Sequence, residues 1–157
     1  MSSFEGKSVL VVIFSCNHCP YVKDYENRMV SIQRDYAEKG VQFVAINSND
    51  EREYPEDSFS EMVKRAKSRG FNFPYLRDET QVVVGAYGGV CTPHVFAFDK
   101  RRLLRYRGRI DDSRDPSKVT SNDLRNALDD MLAGRSVRSP DTKPFGCSIK
   151  WYSMKPA

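Results

Sequence analysis

The chemistry in this chain is concentrated in one stretch, Cys16-Asn17-His18-Cys19-Pro20. It begins one residue after an unbroken apolar run over residues 9–14, and it opens a long segment with helical periodicity. Strand, two cysteines separated by two residues, then helix: that order places a dithiol at a helix N-terminus. A helix start presents unpaired backbone N–H groups and the positive end of the macrodipole. A thiolate there is stabilised, and its pKa falls below the free value of about 8.5. Such a sulfur is a nucleophile and a good leaving group near neutral pH. Two further cysteines stand at Cys91 and Cys147. Four cysteines in 157 residues is not the density of a disulfide-stapled secreted module. A CxxC beside a βαβ pattern reads instead as a redox motif, ahead of a structural pair or half of a zinc site.

The elements that must position these sulfurs follow from the pattern of apolar residues. Residues 9–14 are apolar on both faces and rich in β-branched types, as in a central strand covered on both sides. From Pro20 to about Glu38, Val22, Tyr25, Met29, Ile32 and Tyr36 recur at alternating spacings of three and four, one face of a helix. Pro20 fits its first turn and Gly40 its end. Residues 41–46 form a second strand, parallel to the first through a right-handed crossover, and Asn47-Ser48-Asn49-Asp50 is a polar loop at its carboxyl end. A helix over about residues 58–69 is expected to turn Phe59, Met62, Val63 and Ala66 inward. Residues 71–76 are a short extended piece and residues 79–87 a short helix ended by Gly88-Gly89. Residues 95–98 and 103–109 form a hairpin, the second strand carrying Arg105, Arg107 and Arg109 on one face. A last amphipathic helix, marked by Leu124, Ala127, Leu128, Met131 and Leu132, is expected to take Ser121 as its N-cap and to stop at Gly134. These elements make one domain over residues 1–134. Residues 135–157 form a tail whose Phe145, Cys147, Ile149 and Trp151 imply partial packing on the body.

Composition narrows the function. The chain has the apolar and charged fractions of an ordinary globular protein, and a formal charge of +4 with 21 acidic residues interspersed demands neither nucleic acid nor an anionic membrane. The apolar run before Cys16 is far too short to span a bilayer. The N-terminal residues lack the order of a signal peptide, from which a cytoplasmic location is expected. No cluster of residues suggests a nucleotide, flavin or haem site, and no cofactor is expected.

βαβ, an intervening helical region, a β-hairpin and a final helix is the element order of the thioredoxin fold. Cys16-Asn17-His18-Cys19-Pro20 resembles its redox motif, and Thr92-Pro93, just before a strand, resembles the cis-proline segment that faces that motif. From about Lys7 to Trp151, the string through Cys91-Thr92-Pro93 to Phe145-Gly146-Cys147-Ser148-Ile149-Lys150-Trp151 is similar to a bacterial branch of redoxins. That branch sits among the alkyl hydroperoxide reductase/thiol-specific antioxidant (peroxiredoxin-like) and thiol–disulfide isomerase groups. The resemblance implies an α/β thioredoxin-like fold with a central mixed sheet of four or five strands, and thiol–disulfide chemistry. Three departures stand out. Ser15 replaces the usual tryptophan before the first cysteine, residues 8–14 offer no buried acid, and the extra N-terminal strand of many relatives is not expected in this sequence, so that either a sheet edge is bare or the natural chain begins earlier.

By that resemblance Cys16, the more exposed thiol at the start of the helix, attacks a substrate disulfide, and Cys19 resolves the mixed disulfide. His18 as imidazolium stabilises the thiolate and raises the reduction potential. Pro93, in the cis form, exposes the Thr92 backbone to an extended substrate. Cys91 could supply a third sulfur or be a small buried hydrophobe; His94 could shuttle protons or be structural; Cys147 could resolve from a mobile tail or be a spectator. The partners implied are protein or small-molecule thiols and disulfides, with an upstream thiol reductant. Two alternatives remain open. A thiol peroxidase is disfavoured because, with Cys19 as the peroxidatic sulfur, Cys16 stands where the activating hydroxyl should be. A metal-binding or metal-delivery module would use Cys16, Cys19, Cys91 and His94, a set suited to zinc or Cu(I).

Overall fold

A computed structural model describes residues 2–153; Met1 and residues 154–157, the end of the tail, lie outside the described residues. Strand β1 (Val9–Ser15) is buried at every position, as a run apolar on both faces requires. Helix α1 (Pro20–Tyr36) returns the chain to β2 (Val41–Asn47), which pairs with β1 in parallel from Val9 opposite Val41 to Ser15 opposite Asn47. The carboxyl ends of both strands therefore lie side by side. Beyond α2 (Phe59–Ser68), β3 (Tyr75–Arg77) adds a short parallel edge strand to β2. Then come α3 (Val82–Tyr87) and the two-residue β4 (Cys91–Thr92). After Pro93, β5 (His94–Phe98) pairs antiparallel with β1, and β6 (Leu104–Gly108) antiparallel with β5. The result is a mixed five-stranded sheet, ordered β3-β2-β1-β5-β6 with β1 in the middle.

Both faces of this sheet are covered. Val9, Val11, Ile13, Phe43, Ala45, Val95 and Ala97 pack against Tyr25, Met29 and Ile32 of α1 and against Leu124, Ala127 and Leu128 of α4 (Asp123–Leu132). Leu10, Val12, Phe14, Val44, Ile46 and Phe96 face the other way, under Val84 of α3 and Ile149 of the tail. Alternate residues of one strand thus serve two cores, which is why β1 shows no polar–apolar alternation.

Several expectations are corrected. In α2 only Met62 is buried, while Phe59 and Val63 are 58% and 53% exposed. This helix packs by one residue and by Arg65, which donates to the buried Glu26 of α1, so its apolar stripe is wider than its contact. Helix α3 begins at Val82, later than the sequence indicates, because Asp78 accepts from Val83 and Val84 N–H and fixes the first turn there. The N-cap of α4 is Asn122, and Ser121 instead donates to Asp123. The arginines of the hairpin are paired: Arg105 with Asp99, Arg107 with Asp141 and Arg109 with Asp123.

The tail runs along two parts of the body. Arg107 N–H donates to the Pro140 carbonyl at 2.9 Å and Thr142 N–H to the Arg107 carbonyl at 3.0 Å, which occupies the outer edge of β6. Gly108 permits this approach, since a Cβ there would lie 2.1 Å from the Thr142 hydroxyl. Farther on, β7 (Cys147–Ser148) pairs antiparallel with β4, Thr92 opposite Cys147. Ile149 is buried, whereas Trp151 is half exposed.

Two substitutions test this account of the core. Leu128→Ala, at a fully buried position, is expected to cost about 2–5 kcal/mol in urea unfolding. Val63→Ala, at a position periodicity would bury, is expected to stay within about 0.5 kcal/mol of the parent chain.

Candidate functional site

Helix α1 starts at Pro20, where the sequence pattern puts it. Proline lacks an N–H and is accommodated in the first helical turn, so Pro20 opens the helix and Cys19 is its N-cap. Cys16 therefore lies in the loop between β1 and α1, outside the helix. Both sulfurs are buried, with Cys16 1% and Cys19 0% exposed. The expectation that Cys16 is the more exposed thiol at the helix start is thus corrected: a tail cysteine, Cys147, and Tyr21 pack over the pair. All four cysteines are free thiols.

The charge between the two sulfurs rests on Cys19. The hydrogen bond from the Cys16 thiol, then donors from Cys147 and the N–H groups of Val22 and Cys147, outweigh burial and lower Cys19 to about 4. Val22 N–H is one of the unpaired donors of the first turn and favours a Cys19 thiolate by its field, although the Cys19 side chain makes no capping hydrogen bond. Cys16 is raised well above the usual thiol value, first by its hydrogen bond with Cys19, then by burial and by the negative charge of Asp57. The Thr92 hydroxyl stands 3.3 Å from the Cys16 sulfur, and the Thr92 carbonyl 3.5 Å from that of Cys19. The single carbonyl contact suits a Cys19 thiol; the donors just named suit its thiolate and outnumber it.

Asp57 is the residue that sequence reasoning missed. It closes a 3-10 turn over Pro55–Asp57 and is completely buried. Its carboxylate accepts from Asn17 N–H at 2.6 Å, from Asn47 Nδ2 at 3.2 Å, from Asn49 Nδ2 at 3.0 Å and from His18 Nδ1. The acid absent from β1 is thus supplied from the segment after β2. Asn17 is fixed further by Tyr75, whose hydroxyl donates to Asn17 Oδ1 at 2.9 Å, and by its own Nδ2 donating to the Glu56 carbonyl at 2.8 Å. His18 stacks flat on Tyr54, ring centroids 5.1 Å apart, and gives its Nδ1 to Asp57. His18 is thus engaged by Asp57 while one of its ring nitrogens stays within 4.8 Å of the Cys16 sulfur. One signal for this network lay in the sequence. Residues 47–50 are four polar residues at the carboxyl end of a parallel strand, where open α/β sheets place ligands, and all four are buried. Asp57, one of several acids in a charged segment, carried no such signal.

Strand β4 brings Thr92 to the dithiol, and the Thr92–Pro93 peptide that follows is cis. Cys91 is buried with its sulfur 3.8 Å from the Pro93 carbonyl, and burial raises it to about 11. His94 accepts from Val90 N–H at its Nδ1 and lies against Phe96; burial lowers it to about 4, so it is neutral near pH 7. The metal set of Cys16, Cys19, Cys91 and His94 does not converge. Among the described residues, the group that gathers three ligand atoms within 4.8 Å is Cys16, His18 and Asp57, and its histidine and carboxylate are already bonded to each other.

Comparison with known proteins places the chain by family and by fold. The family model Redoxin matches residues 1–128. Among solved structures, an uncharacterised conserved protein of Geobacillus kaustophilus is 45% identical, over 99% of this chain and 83% of that one, with a TM-score of 0.93. A hypothetical protein of Sinorhizobium meliloti is 39% identical over 98% of this chain and 85% of that one, with a TM-score of 0.92. A secreted disulfide oxidoreductase of Mycobacterium tuberculosis shares the thioredoxin-like fold, at 17% identity over 85% of each chain and a TM-score of 0.59. Among the curated proteins the chain has no match.

Two measurements test the site. With Cys19 lowered to about 4 in the folded chain and near 8.5 when unfolded, the unfolded chain binds more protons between these values. The stabilisation is complete above the unfolded value and is lost as pH falls toward the folded one. The ultraviolet thiolate absorbance is expected to titrate with a midpoint near 4 and to be missing in Cys19→Ser. Asp57→Asn removes the charge and turns one of two carboxylate oxygens, each accepting from two donors, into an NH2 that faces donors, and is expected to cost about 3 kcal/mol in urea unfolding. It should also move the pH profile of Cys16 alkylation to lower pH, because the Asp57 charge is one cause of the raised Cys16 value.

Proposed function

The chain belongs to the redoxin family, and from that premise we propose that it is a thiol–disulfide oxidoreductase in which Cys16 and Cys19 cycle between dithiol and disulfide. The observation that carries the reading is a packed pair of buried cysteines, the second of them the N-cap of α1, with the Thr92 hydroxyl and carbonyl against their sulfurs. Family membership supports thiol redox chemistry at the coarse level; the pair supplies the mechanism.

Cys16 passes its proton across the hydrogen bond to Cys19 and attacks one sulfur of a substrate disulfide. The substrate S–S bond breaks, a Cys16 mixed disulfide forms, and the other half of the substrate leaves as thiolate. That thiolate takes the proton from Cys19. Cys19 then attacks the Cys16 sulfur, the mixed disulfide breaks, and the second half of the substrate leaves. Two electrons pass to the substrate and a Cys16–Cys19 disulfide remains, to be reduced by an upstream dithiol. Asp57 and Asn17 hold the connecting loop, and the Thr92 hydroxyl bears on Cys16. Because the thiolate of the reduced form is stabilised, oxidation is disfavoured and the potential is high, the situation of strongly oxidising members of this chemistry.

A peroxidase reading ranks second. The Thr92 hydroxyl at 3.3 Å from Cys16 provides, from another element, the polarising group that the sequence around the cysteines lacks. Rapid consumption of hydrogen peroxide with a stoichiometric burst at Cys16 would favour it.

Equilibration with glutathione buffers, alkylation and peptide mapping test the leading reading. The Cys16–Cys19 pair is expected to be two-electron active with a potential well above about −270 mV, toward about −180 to −120 mV. Cys19→Ser is expected to accumulate a mixed disulfide on Cys16. A chain that never links Cys16 to Cys19 would refute the mechanism.

A further inference from the structure

The two-residue strand β4 ends at Thr92, beside Pro93 and directly over the dithiol. Its partner is the chain's own tail. β7 lies antiparallel to it, with Thr92 opposite Cys147 and Cys91 opposite Ser148. This is β-augmentation, the way an extended peptide adds to a free strand edge, and the residue placed over the redox pair is a cysteine. Cys147 packs with Cys16, Cys19 and Val22.

The seat is built for this segment. Gly146 passes so close to β4 that a Cβ there would lie 2.0 Å from the Thr92 carbonyl oxygen and 2.7 Å from its carbon. Beyond Ser148 the tail is pinned at successive residues. Ile149 N–H donates to the Val90 carbonyl, Lys150 N–H to Asn49 Oδ1 at 2.9 Å, and Asp50 N–H to the Lys150 carbonyl at 2.8 Å. Gln81 Nε2 donates to that same carbonyl at 2.9 Å, and Tyr152 N–H to Gln81 Oε1 at 2.9 Å. The loop that positions Asp57 through Asn49 thus also anchors the tail through Asn49 and Asp50.

Resting on the thiol–disulfide reading above, we propose that the Gly146–Cys147–Ser148 segment is an internal substrate: it occupies the strand position of an extended protein substrate, and Cys147 exchanges with Cys19. The step is an isomerisation of the oxidised chain. The Cys147 thiolate attacks the Cys19 sulfur of the Cys16–Cys19 disulfide, that S–S bond breaks, a Cys19–Cys147 bond forms, and Cys16 leaves as thiolate and takes the proton Cys147 gave up. No net electron transfer occurs. In the reduced chain Cys147 is raised to about 11 by burial and then by Cys19; once Cys19 is bound in a disulfide its charge no longer opposes a Cys147 thiolate. The product latches the tail covalently over the groove, so an extended substrate is excluded until a reductant opens it, while Cys16 is freed.

The test is disulfide trapping in the full chain carrying Cys16→Ser. Oxidised glutathione is attacked by Cys19 to give a glutathione adduct, which Cys147 should displace. The expected product is a glutathione-free chain with a mapped Cys19–Cys147 bond, and a persistent Cys19–glutathione adduct only in Cys16→Ser/Cys147→Ser. A lasting adduct in the single variant, or a bond from Cys19 to Cys91, overturns the proposal while leaving the Cys16–Cys19 cycle of the parent chain standing. Failure of that cycle is read separately, as absence of the Cys16–Cys19 disulfide in the unsubstituted chain. A second measurement is independent of oxidation. Gly146→Ala in the reduced chain, with far-UV circular dichroism unchanged, is expected to raise alkylation of the buried pair on the order of tenfold by lifting the tail. An unchanged rate overturns the occupancy.

Discussion

The structure around the redox pair depends on one buried carboxylate. Asp57 has no exposed surface, and an ionised carboxylate placed out of water is costly unless donors surround it. Here a backbone N–H and three side chains converge on it, from the cysteine loop, the end of β2 and the loop that follows. Satisfying that one group fixes Asn17 and His18, and with them the path of the chain from Cys16 to Cys19. It also sets the sign of the local field. The hydrogen-bonding demand of Cys19 and burial raise Cys16, and the negative charge of Asp57 adds to them, so the thiolate is favoured at Cys19.

The same constraint reaches the tail. Asn49 gives its Nδ2 to Asp57 and accepts from Lys150 N–H at its Oδ1. A single amide side chain therefore joins the segment that holds the dithiol loop to the segment that covers the dithiol. The lid and the electrostatics of the pair are in this sense one hydrogen-bonded network, and such networks act as units rather than as sums of pairs. The burial of both sulfurs follows from it and not from any apolar character of the cysteine loop, whose residues Asn17 and His18 are polar.

Histidine chemistry illustrates how neighbours redirect a residue. A His between two cysteines is a natural electrostatic partner for a thiolate. In the folded chain Tyr54 and Asp57 claim its ring. His94 is likewise close in sequence to the cis-proline turn, yet it faces Val90 and Phe96. For both side chains, packing decides which nitrogen meets which partner.

Local patterning was enough to place the central strands, the dithiol and the helix that follows it. Runs such as residues 9–14 and the three–four spacing from Val22 to Tyr36 are local signals, read from side-chain periodicity that secondary structure imposes directly. The place of Pro20 was legible for the same reason, though its consequence, that Cys19 and not Cys16 caps the helix, is a matter of one residue in backbone geometry. Tertiary structure alone decided the rest. Asp57 lies 40 residues from the N–H it accepts from, and Cys147 lies opposite Thr92 across a pairing of two-residue strands. No periodicity marks a single buried acid or a strand of two residues. Contacts of that range are set only when the sheet brings the carboxyl ends of β1 and β2 together, leaving one polar corner where loop, acid and tail must satisfy each other's hydrogen bonds.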